Sequence, residues 1–213
     1  MADFEELIDG NMEFMMNNHD YRKLAEGQHP KYIVIACSDS REVPEIITNE
    51  KLGEIFDIRV AGCVIDDAAI GSIEYGVDRL GIKNIVMLAH TRCGAVTAAQ
   101  ELLKNGNHDH ASNNHTSSCL DMLVTNIYDK ISKNPMNSLD LANAIVDNAK
   151  QQIDILTQKS EVIRNGLKNG LSIKLALYNI DNGMLKFIET EPSNNQGMHV
   201  AGSSSALYEQ GSS

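Results

Sequence analysis

Residues 32–37 read Tyr-Ile-Val-Ile-Ala-Cys, an apolar run that lacks the alternation of a half-exposed strand. A strand of a parallel sheet is covered on both faces, so its sequence is apolar throughout. Residues 55–60 (Ile-Phe-Asp-Ile-Arg-Val) and 84–89 (Asn-Ile-Val-Met-Leu-Ala) are similar to the first run in length and character. The three runs predict strands of a parallel sheet.

The segment between the second and third runs predicts a helix. Across residues 66–80 the apolar side chains recur at helical spacing, and Gly81 follows as a residue suited to a helix C-terminus. Strands joined through helices form parallel sheets with right-handed connections. We therefore expect an α/β fold with a mostly parallel central sheet flanked by helices.

The N-terminal segment predicts a helical arm within about residues 1–25. Its apolar residues recur at roughly helical spacing, and the apolar face that they form needs a partner. These residues are Phe4, Leu7, Ile8, Met12, Met15 and Met16.

The rest of the chain predicts further helices and then a hairpin. Helical spacing recurs over residues 94–104, 120–131 and 139–156. Residues 172–180 and 184–190 are strand-like and flank the turn sequence Asp181-Asn-Gly183. This pattern predicts a C-terminal hairpin that supplies an edge strand.

The length of the chain, 213 residues, suits one domain with a buried core. We predict a single domain over residues 1–191. Residues 105–118 are rich in Asn, His and Ser and predict a polar surface loop. Residues 192–213 are rich in Ser, Asn and Gly and predict a disordered tail.

The composition excludes several classes of partner. With 18 Lys and Arg residues against 29 Asp and Glu residues, the net charge of −11 opposes binding to nucleic acid. No apolar run approaches the roughly 18 residues that span a bilayer, and the acidic start lacks the pattern of a secretory signal. We expect a cytoplasmic protein that binds neither nucleic acid nor membrane.

Two cysteines and one histidine lie where the predicted strands end. Cys37 ends the first run, and His90 follows the third. Parallel sheets place ligand sites just outside the carboxyl ends of their strands. Cys93 adds a second sulfur three residues after His90, in a strand-to-helix turn where both side chains can converge. Two sulfurs and one imidazole favour zinc, and three ligands leave a position open for water, as catalytic zinc sites do.

An acidic and a basic residue follow Cys37 directly. The sequence Cys37-Ser-Asp-Ser-Arg41 brings a ligand, the Asp39 carboxylate and a permanent cation within five residues. Arg41 can keep Asp39 ionised, and Asp39 can then accept a hydrogen bond from a group bound to the metal. We therefore assign Asp39 and Arg41 to the catalytic site.

These motifs resemble those of a known family. Cys37-Ser-Asp-Ser-Arg41 and His90-Thr-Arg-Cys93-Gly-Ala strongly resemble the two zinc motifs of the β-carbonic anhydrases. Other similar segments occur in the expected order, so the resemblance covers roughly residues 5–190. They are Gly10-Asn-Met-Glu-Phe14, Gly27-Gln-His-Pro30, Ile58-Arg-Val-Ala-Gly62, Ser72-Ile-Glu-Tyr75, Asp147-Asn148…Gln151 and Gly170…Tyr178-Asn-Ile-Asp181…Gly183.

The resemblance implies an enzyme, a carbonic anhydrase that hydrates CO2 reversibly to bicarbonate and a proton by attack of a zinc-bound hydroxide. It implies one Zn²⁺ per chain, bound by Cys37, His90 and Cys93. It also implies that Asp39 orients the hydroxide and that Arg41 holds Asp39 in place. Family members form dimers or multiples of dimers in which the N-terminal helix packs on the neighbour, so a homodimer or a larger assembly is expected.

Two positions and the absence of Trp bear on the branch of the family, and a third position departs from the family pattern. Gln28 and Tyr75 match residues that line the substrate pocket in the plant-type branch. The other well-known branch uses a Trp for an inhibitory bicarbonate site, and this chain has no Trp, which favours the plant-like branch. Cys63 departs from the family, because Ala-Gly-Asn is usual where this chain has Ala61-Gly-Cys63.

Two alternative functions stay open at the level of sequence. Relatives on the same fold hydrolyse carbonyl sulfide or carbon disulfide. A non-catalytic zinc-binding or thiol-sensing module would use a fourth ligand such as Asp39, but the Asp39–Arg41 pair and the lack of a fourth Cys or His in the motifs argue against it.

Overall fold

The computed structural model describes residues 4–17, 24–105 and 118–189 of the chain. Apart from its two end residues, the polar loop predicted for 105–118 lies outside these ranges, as does the whole tail predicted for 192–213. The loop, the tail and the single domain over 1–191 therefore stay predictions.

The predicted α/β fold is confirmed. The described strands are β1 Tyr32–Ala36, β2 Ile55–Arg59, β3 Asn84–His90, β4 Ser172–Asn179 and β5 Met184–Ile188. They form one sheet in the order β2-β1-β3-β4-β5. Strands β1 to β4 pair in parallel, and β5 pairs antiparallel with β4 at the edge. The predicted hairpin is therefore present, with a turn over 180–183 that is one residue longer than expected.

The described helices are α1 Phe4–Asn17, α2 Pro44–Thr48, α3 Asp67–Asp78, α4 Gly94–Lys104, α5 Cys119–Ile131, α6 Leu141–Lys159 and α7 Glu161–Lys168. The 3-10 turns Ala61–Cys63 and Asn137–Leu139 lie between them. In the part of the chain that the structure describes, none of these helices combines the length and the apolar character needed to cross a membrane.

Helices α2 and α7 were not predicted from the sequence. With five residues, α2 is too short to show a helical period. Helix α7 follows α6 after a single residue, Ser160, which ends one helix and begins the next. The Ser160 hydroxyl accepts a hydrogen bond from the Ile163 N–H at 3.1 Å, which is a typical N-cap interaction. Because this break is so short, the sequence pattern does not reveal where α6 ends.

The apolar sequence of β1 is explained by burial on both faces. Ile33 and Ile35 belong to the larger core cluster, in which the sheet packs against the helices. Val34 and Ala36 belong to a smaller cluster on the opposite face. Successive side chains of a strand point to opposite faces, so both faces of β1 must be apolar.

The order of the strands defines where a ligand site can form. Strand β1 lies between β2 and β3, and the chain continues from β1 to one side and from β3 to the other. At such a switch point the loops that follow the two strands diverge and leave a crevice at the carboxyl edge of the sheet. The residues that follow β1 and end β3 therefore face the same crevice.

Helix α3 approaches β1 closely at Gly76. A Cβ atom added there would lie 2.8 Å from Cδ1 of Ile33 and 3.1 Å from its Cγ1.

We expect Gly76→Ala to destabilise the fold by about 1–3 kcal/mol, the usual cost of overpacking a core. Gly71 is exposed on the same helix, and an added Cβ would have nothing within 4 Å. Gly71→Ala should instead stabilise by about 0.5–1 kcal/mol, because alanine is the better helix former. Urea unfolding of both variants is the measurement, and stabilisation by both would contradict this close packing.

Candidate metal centre

Three side chains meet at the carboxyl edge of the sheet, between β1 and β3. Cys37 directly follows β1, His90 is the last residue of β3, and Cys93 is the N-cap residue of α4. All three are buried, and their ligand atoms lie within 4.8 Å of one another. The structure thus brings together the three residues predicted to bind the metal.

The His90 ring is oriented to present Nε2 to this group. Its Nδ1 lies 2.9 Å from the backbone oxygen of Thr91. A ring nitrogen that donates to a carbonyl leaves the other nitrogen as a free lone pair, which is the usual arrangement of a metal-binding histidine. Nε2 is buried and has no hydrogen-bond partner among the described residues. A metal ion would satisfy this atom.

The spacing of the sulfurs fits zinc. Two sulfurs bound to a tetrahedral zinc ion at about 2.3 Å lie about 3.8 Å apart, and the Sγ atoms of Cys37 and Cys93 are 3.9 Å apart. Two thiolates and one imidazole are zinc ligands by type as well as by geometry. Three protein ligands leave one coordination position for water.

The hydrogen bond between the two cysteines shifts their pKa values in opposite directions. A hydrogen bond from Cys93 lowers the pKa of Cys37 well below its usual value, although burial opposes this. The same hydrogen bond raises the pKa of Cys93, and burial raises it further. Burial lowers the pKa of His90, but the neighbouring Cys37 sulfur and the charge of Glu42 raise it by more, so the net direction is upward. Metal binding must displace these protons, so metal affinity should increase with pH.

Asp39 and Arg41 form the predicted pair beside the ligands. The guanidinium group donates from Nε to Oδ1 at 2.9 Å and from Nη2 to Oδ2 at 2.7 Å. These hydrogen bonds hold the pKa of Asp39 well below its usual range. Oδ2 of Asp39 also lies 4.0 Å from Nε2 of His90. An ionised carboxylate of fixed orientation therefore borders the metal site.

Two residues at the site were missed by sequence analysis. Arg59, the last residue of β2, donates from Nε to the Cys37 oxygen at 3.0 Å and from Nη2 to the Asp39 oxygen at 2.7 Å. Glu42 is fully buried, and its Oε2 accepts a hydrogen bond from the Cys37 N–H at 3.1 Å. Arg59 could have been found from its place at a strand end, the criterion that identified Cys37 and His90.

Glu42 is a second carboxyl group near the ligands. Its Oε2 is 4.0 Å from Nε2 of His90, and its Oε1 is buried without a hydrogen-bond partner in the described chain. Burial raises the pKa of Glu42 to about 8. Nothing in the local sequence, Arg41-Glu-Val-Pro44, predicts a buried carboxyl group, because a charged residue next to an exposed arginine is ordinarily at the surface.

The turn between β4 and β5 fixes the loop that carries Cys93. Arg92 has a left-handed backbone with a φ of 59°, and its guanidinium group contacts Asp181 at 2.7 Å and 3.1 Å. The Thr91 hydroxyl accepts a hydrogen bond from the Ile180 N–H at 3.0 Å. The C-terminal hairpin therefore supports the conformation of the segment from His90 to Cys93.

The 3-10 turn after β2 contacts Cys37 through its backbone. Gly62 has a φ of 67°, and its N–H donates to the Cys37 Sγ at 3.3 Å. A Cβ atom on Gly62 would lie 2.5 Å from Cδ1 of Ile127, so this position requires glycine. Cys63 has a φ of 56°, a region that favours Asn over Cys. Its buried thiol donates to the Leu88 oxygen at 3.2 Å, so it binds the backbone of β3 and is not one of the three grouped ligands.

The two predicted substrate-binding residues belong neither to the group of three ligands nor to the lining of the small cavity beside it. Gln28 is exposed in the segment before β1. Tyr75 on α3 is 49% exposed and stacks on Phe56 with 6.2 Å between the ring centroids. The small cavity next to His90 and Cys93 is lined by other residues. The roles of Gln28 and Tyr75 in substrate binding therefore stay predictions.

Solved structures with the same arrangement of strands and helices are β-carbonic anhydrases. The chain matches the enzyme CafA of Aspergillus fumigatus with a TM-score of 0.73 and 28% identity, over 90% of this chain and 93% of that one. The β-carbonic anhydrase CcaA has the same fold, with a TM-score of 0.73 at 24% identity over 88% of this chain and 96% of that one. A family model described as "Carbonic anhydrase" matches residues 32–185. The chain belongs to the β-carbonic anhydrase family.

Curated relatives of this β-carbonic anhydrase match it over shorter segments. Carbonic anhydrase 2 of Mycobacterium tuberculosis is 43% identical over 103 residues, which are 48% of this chain and 50% of the relative. The carbonic anhydrase of Mycolicibacterium smegmatis is 40% identical over 114 residues, 50% of this chain and 55% of the relative. The chain thus spans about half the length of these relatives. The plant-like branch stays a prediction.

The ligand set predicts zinc content. We expect the purified protein to contain one zinc ion per chain, since the three buried ligand atoms of Cys37, His90 and Cys93 converge on one point. Cys93→Ser should lose its zinc to a chelator that the unsubstituted protein resists, because the variant has lost a thiolate ligand. Cys119→Ser is the matched control, since Cys119 is exposed and free. Elemental analysis after dialysis makes the comparison, and full zinc retention by Cys93→Ser would rule out this ligand set.

Proposed function

We propose that this β-carbonic anhydrase catalyses the reversible hydration of CO2 to bicarbonate and a proton. The observation that carries the proposal is the arrangement of Asp39 beside the three ligands. Its Oδ2 is 4.0 Å from His90 Nε2, but both of its oxygens are bound by Arg41. An acceptor is thus placed beside the three ligand atoms, and its hydrogen bonds with Arg41 would keep it from binding a metal held there.

The donor set of Cys37, His90 and Cys93 would hold Zn²⁺, which in such sites lowers the pKa of a bound water so that it becomes a nucleophile near neutral pH. Arg41 lowers the pKa of Asp39 and keeps it ionised, so Asp39 would accept a hydrogen bond from a water held at the site and would orient that water toward CO2. Arg41 keeps Asp39 in place through two parallel hydrogen bonds. The proton that the reaction releases would pass to solvent buffer.

The Asp39–Arg41 pairing also supports a catalytic site over a purely structural zinc site. A structural site is closed by a fourth protein ligand. In the described residues, the grouped ligand atoms belong to three side chains only. Asp39 would have to break its hydrogen bonds with Arg41 to become a fourth ligand. This argues against the non-catalytic module, and no observation favours carbonyl sulfide or carbon disulfide as the substrate.

We also propose that the chain forms a homodimer or a multiple of dimers. No residue of α1 is buried, and Phe4 and Leu7 are 87% and 70% exposed. A helix face with so many exposed apolar side chains is unfavourable in water unless a partner covers it. The β-carbonic anhydrases of Sordaria macrospora, which share this fold at a TM-score of 0.72, are tetrameric. A cytoplasmic location remains part of the proposal.

The pair of thiolates predicts the pH dependence of the reaction. Two thiolates neutralise the charge of the metal, and Asp39 adds a further negative charge, so the bound water should be less acidic than in a site with three histidines. The pKa of Asp39 is lowered by Arg41, so Asp39 keeps its charge throughout the range from pH 6 to 9. We therefore expect the hydration rate to rise with pH, with a midpoint above about 7. A flat profile in a stopped-flow assay would contradict the proposed chemistry.

Substitution of the pair tests its role. Asp39→Asn should reduce hydration by roughly ten- to a hundredfold, the usual scale for a lost partner of a metal site. Arg41→Ala should cost at least as much, because Asp39 would then be free to bind the metal. Arg79→Ala is the matched control, since Arg79 forms an exposed ion pair with Asp78 at 3.1 Å. Full activity of both site variants in the same assay would mean that the pair has no catalytic role.

The exposed face of α1 predicts the assembly state. Ile8→Lys places a charge on the apolar face and should shift the protein from dimer toward monomer. Glu13→Lys introduces the same residue on the polar face of the helix and should leave the dimer intact. Light scattering at micromolar concentration measures both. A monomeric unsubstituted protein under these conditions would refute the dimer.

A further inference from the structure

Three side-chain amides form a continuous chain of hydrogen bonds, here called the amide chain: the half-buried Asn126 and the buried Asn148 and Gln152. Asn126 is on α5, whereas Asn148 and Gln152 are one helical turn apart on α6. Gln152 donates from Nε2 to Oδ1 of Asn126 at 3.1 Å and to Oδ1 of Asn148 at 3.3 Å. Asn148 and Gln152 are 2% and 0% exposed. Burial of amides is unfavourable unless they are hydrogen-bonded, so this network must be satisfied as a unit.

The amide chain ends on the backbone of the 3-10 turn after β2. Nδ2 of Asn148 donates to the Gly62 oxygen at 2.8 Å. Oε1 of Gln152 accepts a hydrogen bond from the Ile65 N–H at 2.9 Å. The turn is therefore anchored to α6 on both sides of Cys63. Gln151, which the sequence analysis grouped with Asn148, faces away and contacts Lys133 at 2.6 Å.

The anchored turn places a hydrogen-bond donor on a metal ligand. The Gly62 N–H donates to Cys37 Sγ at 3.3 Å. Gly62 has a left-handed backbone, and this conformation sets the orientation of its N–H relative to its carbonyl. The side-chain amide of Asn148 donates to that carbonyl, and it thereby holds both the carbonyl and the N–H of Gly62 in place. Asn148 and Gly62 also line the small cavity next to His90 and Cys93.

We propose that Asn148 is a positioning residue of the metal centre: it holds Gly62 so that the Gly62 N–H donates to the Cys37 thiolate, and Gln152 and Asn126 fix the orientation of Asn148. This inference rests on the proposed metal centre. An N–H donor withdraws electron density from a thiolate, so the sulfur donates less electron density to a bound metal. Loss of the donor leaves a more electron-rich sulfur and a less well-oriented ligand.

Cobalt substitution provides a readout that a merely structural role would not change. The Asn148→Ala and Asn148→Ser proteins are loaded with Co²⁺ alone, and the thiolate-to-cobalt charge-transfer band is recorded. We expect the band to move to lower energy in both variants, and the Zn²⁺ affinity to fall by about ten- to a hundredfold. Asn148→Ser covers the case in which alanine prevents folding, because a helix serine can satisfy its hydroxyl on its own helix.

Gln151→Ala is the matched control, since it removes a neighbouring amide of α6 that does not contact the amide chain. Its band and its Zn²⁺ affinity should match those of the unsubstituted protein. Folded Asn148 variants with a lower melting temperature, an unshifted band and unchanged Zn²⁺ affinity would overturn the positioning role. Absence of any cobalt band from the unsubstituted protein would overturn the metal centre and this role with it. Neither readout depends on CO2 hydration.

Discussion

The parallel pairing of β1 with β3 is the constraint on which the rest of the site depends. Its register sets Ile33 opposite Ile85 and Ala36 opposite Leu88. A shift by one residue would exchange Ile33 and Ile35 with the smaller Val34 and Ala36, so neither of the two core clusters on the faces of the sheet would be filled. The same register brings the residue after β1 and the last residue of β3, Cys37 and His90, to one point at the carboxyl edge. The hydrophobic core thus fixes the distance between two of the three candidate metal ligands.

Cys37 is the most constrained of the ligands. Its N–H is bound by Glu42, its carbonyl by Arg59, and its sulfur by the N–H of Gly62. These partners come from the loop after β1, from the end of β2 and from the turn that follows β2. A ligand held from three directions has little freedom left to lose when the metal binds, which favours tight binding.

The remaining parts of the site depend on segments that are distant in sequence. Asp181, in the turn of the C-terminal hairpin, holds Arg92 in a left-handed conformation next to Cys93. The amide chain on α5 and α6 holds the turn at Gly62. Left-handed backbone at residues other than glycine persists only where surrounding contacts enforce it. The first contact joins the C-terminal hairpin to the loop after β3, and the second joins the middle helices to the turn after β2. The site therefore depends on elements from most of the fold.

The sequence by itself determined the α/β class, the three core strands, the three ligands and the Asp39–Arg41 pair, because these follow from local pattern. Apolar runs show burial on both faces, and motifs of five or six residues keep their chemistry together. Only the tertiary structure decided the contacts of Glu42, Arg59 and Asn148, because each binds backbone groups that no local pattern encodes. The tertiary structure also shows that Gln152, and not Gln151, belongs to the amide chain. Adjacent residues of a helix point about 100° apart, and only packing against α5 and the turn at Gly62 decides which one is buried.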